Sequence, residues 1–141
     1  MENKIYFLGN SKDFILAKKL YEQVSDDLEV KLSVAVLESG YNLDTKYDAI
    51  ACEFSQKPEV LSEKVYTYSV GQSNADICGF NFQKREFSRS VDLFSSSFMG
   101  RVNIPVNSEF TEKSVIYCVS GFVAAGVSLP QILKVINSKI S

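Results

Sequence analysis

Apolar residues follow two rhythms along this chain. Up to Ser69 they come in nearly continuous runs: Ile5-Tyr6-Phe7-Leu8, then Glu29 to Leu37 with Leu32, Val34 and Val36 on one face, then Tyr47 to Phe54 and Val65 to Ser69. Continuous runs suit strands covered on both faces, as in a parallel sheet. Between the first two runs the period changes to that of a helix. Asn10 or Ser11 can cap it, Asp13 sits in its first turn against the dipole, and Ile15, Leu16, Leu20 and Val24 make an apolar face with Lys18, Lys19, Glu22 and Gln23 outside. Gly40-Tyr41-Asn42 reads as a turn, and Pro58-Glu59-Val60-Leu61 as one short helical turn.

Beyond Ser69 the runs shorten and alternate. Ile77 to Phe82, Ser90 to Phe94 and Met99 to Ile104 predict antiparallel hairpins, with Ser95-Ser96-Ser97 as the second connection and Pro105 as the stop. The aromatics Phe80, Phe82, Phe87, Phe94 and Phe98 are expected to fill the core between hairpins and sheet. Asn107 or Ser108 is expected to cap a helix through Phe110, Val115, Val119 and Phe122, which Gly126 ends. A last helix starts at Ser128 with Gln131 three residues on and Pro130 in its first turn, and turns Ile132, Leu133 and Ile136 inward. The pattern predicts one α/β domain over residues 1–141: a mainly parallel, three-layer sheet with a C-terminal antiparallel hairpin layer and two helices packed on it.

Composition narrows the chemistry. With 141 residues, 45% hydrophobic and 23% charged, the chain can bury a real core. A net charge of −2 with scattered Lys and Arg leaves no basic stripe, which argues against nucleic acid and anionic membrane as partners. No apolar run approaches the roughly 20 residues of a membrane span. No basic segment followed by an apolar core opens the sequence, so a cytoplasmic location is expected. Histidine is absent, which removes the usual general base, the usual zinc ligand and every Ser-His or Cys-His nucleophile pair. Cys52, Cys78 and Cys118 lie singly in apolar segments and read as buried thiols.

A strand that enters a helix through a Gly- and Lys-containing turn is where many α/β proteins hold a phosphate. Here the turn is Gly9-Asn10-Ser11-Lys12-Asp13, with Ser11 and Asp13 where a phosphate loop needs its last Gly and its Mg²⁺-binding hydroxyl. The segment Val65-Tyr-Thr-Tyr-Ser-Val-Gly-Gln-Ser-Asn-Ala-Asp-Ile-Cys-Gly79, followed by hairpins, a Pro, a helix ending Ala-Ala-Gly-Val and a capped Pro-containing helix, resembles the end of the central ATP-binding domain of Mur ligases. The resemblance implies a shortened copy of that domain. It equates Asn10, Ser11, Lys12 and Asp13 with the phosphate loop and Glu53 with the Mg²⁺-binding Glu. It equates Phe110, Thr111 and Ser114 with the motif H/F-N-x-x-N that holds base and ribose.

Read this way, most functional residues are replaced and no catalytic residue is assigned. The histidine-containing metal and carbamylated-lysine segments have no counterpart, and the reading expects no C-terminal domain to bind the incoming amino acid. ATP and Mg²⁺ are not expected to bind tightly, although Glu53 and Asp13 could share a cation at the same sheet edge. The expectation is a non-catalytic Mur-ligase-like module that binds a protein partner, a second copy of itself or a small ligand, linked by descent to peptidoglycan precursor metabolism. The alternative is a nucleotide- or phosphate-binding enzyme subunit whose ATP-dependent ligase site a partner completes.

Overall fold

The structure, a computed structural model, describes residues 4–8, 12–30, 33–37, 49–53, 65–70, 77–95 and 98–140, and for the strands before residue 71 it describes the backbone. The elements run β1 (Lys4–Leu8), α1 (Lys12–Val24), β2 (Ser33–Leu37), β3 (Ala49–Glu53), β4 (Val65–Val70), β5 (Ile77–Lys84), β6 (Ser88–Phe94), β7 (Met99–Pro105), α2 (Glu112–Ala124) and α3 (Leu129–Ile140). The turn expected at Gly40 and the helical turn expected at Pro58 to Leu61 lie outside the described residues.

The strands make one sheet in the order β2-β1-β3-β4-β5-β6-β7. The first five strands run parallel, in registers such as Leu8 opposite Leu37 on one side and Cys52 on the other. The β5-β6 and β6-β7 pairs are antiparallel. The hairpins therefore extend the sheet rather than forming a layer of their own, as the change of period had suggested. All three helices touch one another and the sheet, so the described residues build two layers rather than the three expected.

Helix α1 buries Ala17, Leu20, Tyr21 and Val24. This face is rotated from the one expected, leaving Ile15 59% exposed, because Tyr21 takes the seam against α2 and stacks on Phe122 at 4.2 Å. Burial and the neighbouring Cys118 push the Tyr21 hydroxyl well above its ordinary pKa. Cys78 and Cys118 are buried, and burial likewise raises the Cys118 thiol. Helix α2 ends in a Schellman motif: Gly126 (φ 91°) donates to the Val123 carbonyl and Val127 to that of Phe122. Its other end departs from expectation. Thr111, not Asn107 or Ser108, is the N-cap.

Two glycines let the helices approach. A Cβ on Gly79 would lie 2.4 Å from Ile116 Cδ1 of α2, and one on Gly100 would lie 2.4 Å from Leu133 Cδ1 of α3. At the free edge of β7 the Asn137 side chain of α3 acts as a surrogate strand. Its amide accepts from Asn103 N at 3.1 Å and donates to Arg101 O at 3.0 Å.

The aromatics do not fill the core as expected. Phe87 is 76% exposed, Phe82 and Phe98 are also open to solvent, and Phe80 and Phe94 meet edge to face at 5.3 Å, partly exposed. Single-sided helix packing explains Phe80 and Phe94, because the register puts them on the sheet face turned away from Gly79 and α2. On that face Arg101 Nε donates to Asp92 Oδ1 at 2.7 Å and Asn81 Nδ2 to Asp92 Oδ2 at 2.9 Å. These bonds, Arg101's first, hold the Asp92 carboxyl below its usual range. A depressed carboxyl stabilises the fold above its unfolded pKa of about 3.9, and the contribution is lost as pH falls through the lower folded value. Asp92→Asn should therefore be less stable than the parent at neutral pH, with the difference shrinking in acid; denaturant melts at pH 7 and pH 3 measure it, and a gap that widens at pH 3 would refute the assignment.

Candidate functional site

Parallel strands of an open sheet present their carboxyl ends to ligands, most of all where strand order reverses. Here the order reverses at β1, which has β2 on one side and β3 on the other. Glu53 is the last residue of β3, one position beyond the level of Leu8 and opposite Tyr68 of β4. The backbone thus sets Glu53 at the edge the sequence assigned it, while Asn10 and Ser11 lie outside the described residues. Lys12 opens α1 and is exposed, and Asp13 follows it, partly buried.

The chain returns to this edge through residues 106–111. Thr111 caps α2 with its hydroxyl, which accepts from Ser114 N at 3.1 Å, while Thr111 N donates to Ser114 Oγ at 2.9 Å and Ser114 Oγ donates to Thr111 O at 2.7 Å. Such a box satisfies amides that a helix start leaves without partners and is worth on the order of 1 kcal/mol. The Thr111 hydroxyl also donates to Asp13 Oδ1 at 2.5 Å across 98 residues of sequence. The first turns of α1 and α2 are thereby joined, both N-termini facing the same edge. Phe110, assigned to hold a base, is instead buried in the core.

Arg89 braces this return. It alternates with the inward-facing Val91 and Leu93, so its guanidinium also points toward the helices. There Nη1 donates to Glu112 Oε1 at 2.7 Å, and Nη2 to Phe110 O at 3.0 Å and Ser108 O at 3.4 Å. Arg89 Nε is buried without a partner. A second brace is the Lys19–Glu109 ion pair at 2.6 Å.

Beside these contacts lies a cavity of about 440 Å³ lined by Asp13, Phe82, Arg89, Thr111, Glu112 and Lys113. Phe82 reaches it because β5 carries an irregularity: between Phe80 and Gln83 the register shifts by one residue, and Asn81 takes a left-handed φ of 57°. A bulge of this kind re-aims the next side chain, here from the open face to the cavity. Of the assigned residues, the structure gathers Asp13 and Thr111 at the cavity, with Ser114 linked through the cap. Phe82, Arg89, Glu112 and Lys113 were missed. The signal for Arg89 was there, since an arginine at an inward position of a half-buried strand needs partners; for Phe82 only the bulge decides. Among the described residues no group of three or more His, Cys, Asp or Glu side chains is arranged to hold a metal ion, and no helix is long and apolar enough to cross a membrane.

An open sheet with a reversal of strand order and helix N-termini gathered at its carboxyl edge defines the α/β class that takes ligands beyond its strand ends. Within that class the fold is similar to that of Mur ligases. UDP-N-acetylmuramoylalanyl-D-glutamyl-2,6-diaminopimelate–D-alanyl-D-alanyl ligase from Acinetobacter baumannii superposes with a TM-score of 0.67 at 11% identity, covering 99% of this chain and 46% of that one. UDP-N-acetylmuramoyl-L-alanyl-D-glutamate–2,6-diaminopimelate ligase superposes with a TM-score of 0.70 at 10% identity, covering 100% and 47%. The chain thus spans just under half the length of these solved structures, and identities this low speak for the fold alone. No family model matches the sequence, and a search of curated proteins finds no match.

Proposed function

We propose that this chain is a non-catalytic, cytoplasmic Mur-ligase-like module, a degenerate central domain, that binds a protein partner or a small ligand in connection with peptidoglycan precursor metabolism. The observation that carries this reading is the Asp13–Thr111 hydrogen bond. The resemblance places Asp13 where a ligase keeps its Mg²⁺-binding hydroxyl and Thr111 where it keeps an Asn for the nucleotide. Here the two residues satisfy each other. Ser114, in place of the second Asn, is spent on the α2 cap. The residues present do not fit ATP and Mg²⁺. A carboxylate about 4 Å from a phosphate charge costs on the order of 4 kcal/mol at an effective dielectric near 20, whereas a helix dipole returns about 1 kcal/mol or less at an exposed site.

Calorimetry with ATP and Mg²⁺ tests the reading. The expected result is no saturable heat in the micromolar range. Micromolar binding that Lys12→Ala abolishes and Asp13→Ser strengthens would overturn it.

One observation favours the alternative of an ATP-dependent ligase subunit whose site a partner completes. Lys12 is exposed at the α1 start, within the turn that would meet a phosphate. That reading requires nucleotide binding to appear when the partner is added.

A further inference from the structure

We propose that the end of the hairpin sheet beside the cavity is a docking surface for an acidic, apolar segment of a partner protein. The inference rests on the reading that the module binds a protein, and it names the chemistry of that partner. Three large apolar side chains are left exposed at this end: Phe82 at 42%, Phe87 at 76% and Val106 at 46%. The backbone places them together. β5 ends at Lys84, Arg85 N donates to Ser88 O across the turn that carries Phe87, and Val106 N donates to Phe87 O at 3.0 Å. Phe82, two residues before Lys84, lines the cavity, so the patch runs from the hairpin tip into a cleft open to solvent. Grouped apolar side chains with a polar rim mark surfaces that bury against another molecule.

Charge selects the occupant. The acids of the cavity are already engaged, Asp13 by the Thr111 hydroxyl and Glu112 by Arg89. Lys113 lines the same cavity, and Lys84 stands opposite Arg89 in the β5-β6 register. Both lysines are exposed, and among the described residues neither ammonium group has an ion pair or hydrogen bond. With Arg85 they outnumber Glu86, the acid of the tip, so positive charge is in excess here in a protein whose net charge is −2. The amino end of α2 adds its positive dipole to the same place. The exposed pair Phe98 and Met99, at the opposite end of the hairpins, has no such rim, because Arg101 is held by Asp92. Carboxylates flanking an apolar side chain would meet Lys84 and Lys113, whereas a basic segment would be repelled; charges at a rim set this kind of discrimination.

Amide chemical shifts of the isotope-labelled full chain test the surface, with a capped octapeptide that alternates leucine and glutamate as the probe and its lysine-for-glutamate match as the control. The acidic peptide should move the amides of residues 82–89, 106–107 and 111–113 saturably, more weakly at high salt, and leave those of α3 in place. The basic peptide should move none. Lys84→Glu combined with Lys113→Glu should weaken binding about tenfold or more, the scale of two rim ion pairs turned into repulsions, and Phe87→Ser should weaken it by a similar factor through lost apolar burial. Unmoved α3 amides in the free variants confirm that the fold is kept. No shifts at millimolar acidic peptide, shifts centred elsewhere, or equal binding of the basic peptide would each overturn the proposal. So would the same shifts with N-acetylglutamate, which would make this a site for small carboxylates. ATP titrated separately keeps the two readings apart: shifts with ATP overturn the preceding one, whereas failure of the acidic peptide alone removes only this one.

Discussion

Phe122→Ala should remove about 3–5 kcal/mol of stability, the range for emptying a fully buried aromatic site, and lower the melting temperature by on the order of 10–20 °C. The ring has no exposure to solvent and stacks on Tyr21 at 4.2 Å with planes 11° apart. Tyr21 itself is only 1% exposed, so the space left cannot be filled by turning a surface residue inward. The contact also joins α1 to α2, the two helices whose N-termini meet at the candidate site. Urea melts should show a lower midpoint with an unchanged slope. A loss below about 1 kcal/mol, the scale of an ordinary surface substitution, would mean that α1 does not pack on α2 in this way.

Gly79→Ala should cost about 1–3 kcal/mol through overpacking. The added methyl would sit 2.4 Å from Ile116 Cδ1 and 3.2 Å from its Cγ1, with Val91 Cγ2 behind at 3.6 Å. Ile116 is fully buried, so its Cδ1 can turn aside only into neighbouring core side chains or by moving α2. Gly100→Ala meets Leu133 at the same 2.4 Å but also the Phe98 ring, which is 37% exposed and has somewhere to go. Gly79→Ala should therefore be the more harmful of the two. Equal melts for both variants would refute the close approach of α2 to β5.

Element order was legible because each described strand carries its own periodicity and each helix end its own chemistry. Gly126 at the α2 stop needed only the left-handed rule, and the switch from continuous to alternating runs near Ser69 marked the change from parallel to antiparallel pairing. The failures have different origins. Thr111 hid as a cap because its box partner is Ser114 rather than Glu or Gln, and the more usual Asn107 and Ser108 stand just before it. The exposure of Phe80 and Phe94 depends on which face the helices cover, which no local pattern states. At the site, the sequence could show that Asp13 and Thr111 depart from the residues the resemblance expects at those places. It could not show that they bond to each other, since 98 residues separate them and only the fold brings both helix starts to one edge.

Asn137 has a consequence for assembly. A sheet grows by adding strands to an open edge, and unlimited growth needs both edges to be receptive. By holding Arg101 O and Asn103 N with one amide, α3 gives β7 a false neighbour, and Pro105 has no N–H to offer at the end of the same strand. The β7 edge is therefore guarded against strand addition. An added strand at β7 would have to displace the Asn137 amide from Arg101 O and Asn103 N before it could pair there.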